Sequence, residues 1–136
     1  MRYPTIFRFI NPKKEIPPMS LHDDVNALNS MILQGQIMEA FEKYYADDIT
    51  MQENNGEPRV GKATNRAYEE AFVSSLTAFK GAEVNALAVN EEEGLTMVQW
   101  WMAFTHKDYG DIDRHQVCVQ RWKDGQIVHE RFFYGQ

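Results

Sequence analysis

The sequence predicts an α+β domain in which helices pack on one face of an antiparallel sheet. Three observations carry this. Apolar residues recur at helical spacing through the first part of the chain. After Gly81 the period changes to the alternation of strands. Asp124-Gly125 marks a tight hairpin between the last two alternating runs. Helices first and a meander afterwards are the order of an α+β fold.

With 136 residues and 43% hydrophobic content, the chain is long and apolar enough for one domain with a real core. The formal net charge of -6 argues against nucleic acid or an anionic membrane surface as partner. A lone cysteine, Cys118, excludes an intrachain disulfide scaffold. No apolar run approaches the roughly 20 residues that span a bilayer. The opening MRYPTIFRFINPKKEIPP has no unbroken apolar stretch and no small-residue cleavage pattern, so a cytoplasmic location is expected.

Residues 1–19 are expected to form an N-terminal arm, and residues 20–136 the domain. Four prolines break the arm, which leaves room only for a short strand from Thr5 to Ile10 that packs Ile6, Phe7 and Phe9. Ser20-x-x-Asp23 reads as a capping box opening a helix with Val25, Leu28 and Ile32 on its apolar stripe, and Gly35 closes it. A second helix carries Ile37, Phe41 and Tyr44 and ends near Ala46, with Asp47 and Asp48 as a turn. Ile49–Asn54 is a strand, followed by a loop at Asn55–Pro58. A third helix is expected from Lys62 towards Phe79, with Tyr68, Phe72, Leu76 and Phe79 on one face, Glu69 and Glu70 off it, and Gly81 as its stop. Strands then fall near 83–90, 95–106, 113–122 and 127–134, with the acidic turn Glu91–Gly94 read as a solvated loop.

Two stretches carry a resemblance. AFEKYYADDITMQENNGEPRVGKA, residues 40–63, and RWKDGQIVHERFFYG, residues 121–135, are similar to the corresponding parts of the nuclear transport factor 2-like superfamily. That superfamily includes ketosteroid isomerase, scytalone dehydratase, limonene epoxide hydrolase and polyketide cyclases; the chain most resembles the SnoaL-like group. The resemblance implies a cone: a curved antiparallel sheet wrapped around three helices in the N-terminal half, enclosing an apolar pocket. It also implies a homodimer formed through the outer sheet surface.

The candidate chemistry starts at Glu53. Ile49, Met51 and Glu53 share one strand face, and the resemblance places Glu53 where ketosteroid isomerase has its aspartate base. A carboxylate closing an apolar row should be desolvated and able to exchange protons near neutral pH. The isomerase's oxyanion-hole donors are not reproduced, since Leu28 and Cys118 align with them, so steroid isomerisation is not expected. Val98, Trp100, Met102 and Phe104 form one face of strand 95–106, as core or as cavity wall. Alignment turns Glu130, Phe132 and Tyr134 inward, so Glu130 could share the cavity with Glu53 as an acid/base pair. Strand 113–122 offers Gln116, Cys118, Gln120 and Trp122 on one face and His115, Val117, Val119 and Arg121 on the other. The resemblance favours the Trp122 face inward; a bulge would swing His115 in as well.

His22, His106, His115 and His129 have no paired spacing, so no metal is expected, and there is no phosphate-binding glycine loop. Cys118 reads as inert packing. Two functions stay open at this stage. One is an enzyme without a cofactor, of isomerase, cyclase, dehydratase or hydrolase type, with Glu53 moving a proton, helped by His115 or Glu130. Trp100, Trp122, Phe132 and Tyr134 would shape its site for a small, largely apolar ligand. The other is a binding or dimerisation module with no chemistry.

Overall fold

The computed structural model describes residues 20–135, so the arm at 1–19 and its strand at 5–10 lie outside the described residues. Three helices, α1 (Leu21–Leu33), α2 (Ile37–Tyr44) and α3 (Lys62–Ser74), pack on six strands: β1 (Tyr45–Glu53), β2 (Arg59–Val60), β3 (Leu76–Asn90), β4 (Leu95–His106), β5 (Gly110–Lys123) and β6 (Gln126–Tyr134). The sheet order is β2-β1-β6-β5-β4-β3, and the sheet is open. All neighbours are antiparallel except β1 and β6, which run parallel. The α+β class is as the sequence predicts; the parallel pair is a departure from an all-antiparallel sheet.

Ser20 caps α1 by accepting a hydrogen bond from the Asp23 amide, and Gly35 leaves the helix at φ +82°. Val25 and Leu28 are fully buried, as are Ile49 and Ile127, and with Phe41, Tyr44, Val98 and Trp122 they form the core between helices and sheet. Asp124 and Gly125 both have positive φ, the geometry that fits a two-residue hairpin to strand twist.

Two local expectations are corrected. Asp47 and Asp48 are exposed residues of β1, not a turn. They lie where the register slips from Tyr45 opposite Ile127 to Thr50 opposite His129, so the extra residues bulge outward. Helix α3 stops at Ser74, five residues before Phe79. Beyond it Leu76, Ala78 and Phe79 pair with His106, Thr105 and Phe104 of β4, and ladder bonds outweigh local helical preference. Gly81 is therefore a strand residue: a Cβ there would sit 3.0 Å from the Trp101 ring. The acidic residues of the Glu91–Gly94 turn are exposed, as expected, and Glu91 also has a capping contact. Its carboxylate accepts from the Leu21 and His22 amides at 3.0 and 3.1 Å, tying the β3–β4 turn to the start of α1.

A carboxylate on two orphan amides at the positive end of a helix supports both the cap and the dipole. Glu91→Ala should therefore lower unfolding free energy by about 1 kcal/mol; urea denaturation measures it, and an unchanged midpoint would refute the capping role.

Candidate functional site

The helices and the concave side of the sheet enclose a cavity of about 580 Å³, within the range of small-molecule sites. Its apolar wall includes Leu28, Ile32, Phe41, Met51, Trp100, Met102, Phe104 and Phe132. Polar groups enter from Glu53 on β1, Tyr68 and Glu69 on α3, Arg114, Gln116 and Gln120 on β5, and Glu130 and Tyr134 on β6.

Parallel pairing of β1 with β6 sets Met51 opposite Glu130 and Glu53 opposite Phe132, so both carboxylates face one space. Asn54, at φ 49°, fastens the strand ends: its amide donates to the Phe132 carbonyl, and its side-chain oxygen accepts from the Tyr134 amide. Glu53 is thereby engaged on both oxygens. Oε1 accepts from the Tyr134 hydroxyl at 2.9 Å, and Oε2 pairs with Arg59 at 3.0 Å. Arg59 is itself oriented by the fully buried Asn65, whose Oδ1 accepts from Arg59 Nε at 3.1 Å, and by the Tyr68 ring 3.6 Å away. The sequence expectation of a desolvated carboxylate at this position omits that partner.

Glu130 is buried deeper. One oxygen accepts from the Tyr45 hydroxyl, the other from Gln120 Nε2 at 2.8 Å. The network behind Gln120 runs in one direction. An indole can only donate, so Trp122 Nε1 donates to Thr96 Oγ1 at 2.8 Å. Thr96 then donates onward to Gln120 Oε1 at 2.6 Å, which turns the Gln120 amino group to Glu130. Burial pushes the Glu130 carboxyl up to about 7, against the lowering effect of Tyr45 and Gln120. Glu69 is also pushed up to about 7, first by burial and then by Glu130 and Glu53. Its surface faces the cavity rather than bulk water. Burial likewise raises the Cys118 thiol, consistent with an unreactive group.

Of the residues singled out from sequence, Glu53, Glu130, Met51, Trp100, Met102, Phe104, Cys118, Gln120, Phe132 and Tyr134 line the cavity. Two do not. His115 is exposed on the outer face, because β4 and β5 keep one register from Leu95–Arg121 to His106–Gly110 and no bulge turns it in. Trp122 is on the inward face but belongs to the core, edge-on to Tyr44 with ring centroids 6.1 Å apart. Tyr45, Tyr68, Glu69 and Arg114 are additional lining residues. Arg114 continues the alternation of Gln116, Cys118 and Gln120, so extending that row by one step would have found it. Glu69 follows Tyr68 on α3 and carried no comparable signal. Among the described residues no cluster of His, Cys, Asp and Glu could hold a metal ion, and no helix is long and apolar enough to cross a membrane.

The model of the SnoaL-like domain matches residues 25–130. The chain belongs to the SnoaL-like domain family. Solved structures share its nuclear transport factor 2-like fold. A candidate SnoaL-like polyketide cyclase from Mesorhizobium loti is 25% identical, with TM-score 0.76 over 85% of this chain and 100% of the other. A candidate polyketide cyclase from Pseudomonas putida is 17% identical, with TM-score 0.71 over 87% and 93%. A candidate isomerase from Bacillus subtilis is 11% identical, with TM-score 0.72 over 86% and 90%. No curated protein matches the SnoaL-like chain.

The raised Glu69 carboxyl has a thermodynamic consequence. Between the ordinary glutamate value of 4.5 and about 7, the folded state holds more protons than the unfolded state. Stability is then lost as pH rises through that window. Glu69→Gln, at a side chain with no hydrogen-bond partner among the described residues, should flatten the fall. Denaturant midpoints of both proteins from pH 4 to 8 decide it; parallel curves would contradict the assignment.

Proposed function

We propose that this SnoaL-like protein binds a small, largely apolar organic molecule carrying a carbonyl group and moves a proton on it without a cofactor, as an isomerase, cyclase or dehydratase does. The observation that carries the reading is Glu130: a carboxylate facing an apolar cavity, with two hydroxyl and amide donors aimed at it. The two donors hold it as an acceptor, and burial brings its titration to neutrality. Such a group takes a proton from carbon beside a carbonyl and returns it to a second position. Glu53, held by Arg59 and Tyr134, has the weaker claim and serves as a fixed anion at the wall. Leu28 and Cys118 line the cavity and cannot stabilise an enolate strongly. Gln116, whose amide makes only a 3.7 Å contact to the Cys118 sulfur, has a donor left for the carbonyl oxygen. The candidate cyclases and isomerase of similar fold agree with this class of reaction.

Exchange of α-hydrogens of cyclohexanone and β-tetralone in heavy water, followed by NMR, tests the reading. The protein should accelerate exchange roughly a hundredfold or more. The rate should rise with pH through about 7, as Glu130 ionises. Glu130→Gln should abolish the gain, while Glu53→Gln retains most of it. A rate equal to buffer across the panel would favour a binding module with no chemistry.

A homodimer is part of the same proposal. Met97 and Phe133 are 42% and 40% exposed on the outer sheet face. Met97 lies opposite Val119 and Phe133 opposite Val117, so the four form one apolar patch across β4, β5 and β6. Light scattering at micromolar concentration should give twice the monomer mass, and Phe133→Glu should restore the monomer. A monomeric wild type would remove the dimer.

A further inference from the structure

We propose that Arg114 is the anion-recognising residue of the cavity, and that the ligand is an apolar molecule bearing one carboxylate. This rests on the reading of the cavity as a ligand site, not on the proton step.

Arg114 stands on β5 opposite Met102, in the inward row that continues through Gln116, Cys118 and Gln120. Its guanidinium carbon lies 4.0 Å from the Tyr134 ring centroid and 5.7 Å from that of Phe104, which hold the fork in the wall. Among the described residues its buried Nε has no hydrogen-bond partner and Arg114 makes no ion pair. Glu53, whose oxygens accept from Tyr134 and Arg59, makes no ion pair with it. A half-buried cation with an unmet donor is costly unless something else supplies the acceptor. Ring stacking offsets part of that cost but leaves the in-plane N–H groups free.

A planar fork with an open edge matches a carboxylate, which it takes through two parallel hydrogen bonds. A phosphate dianion fits less well: one guanidinium balances one charge, and no glycine loop supplies further amides. The carboxylates already in the cavity do not forbid an anion there. Glu53 is neutralised by Arg59. Burial favours the neutral forms of Glu69 and Glu130 below about 7. Six residues of strand, about 20 Å of chain, separate Arg114 from Gln120 beside Glu130. The acid group and the reacting carbon of the ligand are thus placed towards different ends of the cavity, with the apolar body between.

Matched probes test this: hydrocinnamate against hydrocinnamamide, and octanoate against octanamide, titrated by protein-observed NMR. Each acid should bind roughly tenfold tighter than its amide. Arg114→Gln should bring the ratio close to one without weakening the amide. The Arg114 Nε–H resonance of the wild type should move with the acid and stay still with the amide, a measurement that needs no variant to fold. A ratio of one in the wild type, no binding by either acid, an unmoved Nε–H, or an undiminished preference in Arg114→Gln would each overturn the proposal. Glu130→Gln should keep the acid preference while losing hydrogen exchange, so the two readings fail separately.

Discussion

β1 and β6 run parallel, with Met51 beside Glu130 and Glu53 beside Phe132. That contact joins the two halves of the chain. The first half supplies helices and one strand; the second supplies the meander. Without the β1–β6 ladder, Glu53 and Glu130 would belong to separate surfaces. With it, they face a common space, closed on the helix side by Phe41 and Leu28 and on the sheet side by Trp100 and Phe104. Asn54 locks the end of the ladder, and Asn65 anchors the loop that returns Arg59 to Glu53. The two carboxylates are therefore held by different means: one by an ion pair near the wall, one by neutral donors deep inside.

The neutral set has a polarity. Trp122 begins it because an indole N–H has no acceptor lone pair. Thr96 donates onward to Gln120 and Gln120 to Glu130, and Tyr45 donates from the other side. The Trp122 end of this chain lies in the core and the Glu130 end at the cavity. Trp122 is thus linked to Glu130 through hydrogen bonds, although it does not reach the cavity.

Much of the fold was legible in the sequence because it rests on periodicity. Alternation in 95–106 and 127–134 and the Asp124-Gly125 hairpin appear in the structure where the residues put them. The misreadings share a cause. Residues 75–81 read as helix because Leu76 and Phe79 keep a helical spacing from Phe72, whereas pairing with β4 is a long-range effect that spacing does not reveal. Asp47-Asp48 reads as a turn, but a bulge accommodates the same two polar residues within a strand. For the site, alternation put Met51 and Glu53 on one face, while the family resemblance chose the face of 113–122 that carries Cys118 and Gln120. Alternation could not supply Arg59, whose approach to Glu53 depends on a loop closed by Asn65. Nor could it turn His115 inward, since that needed a bulge absent from a regular ladder.

The two borders of the sheet differ in construction yet have the same consequence. β2 is only two residues long. β3 is fifteen residues long, but its register against β4 slips at three places. A strand from another molecule needs a long, even row of free amides and carbonyls to add to a border, and neither border offers one. Growth by edge-to-edge strand addition, the route to fibrous aggregates, is thereby obstructed at both margins of the described sheet.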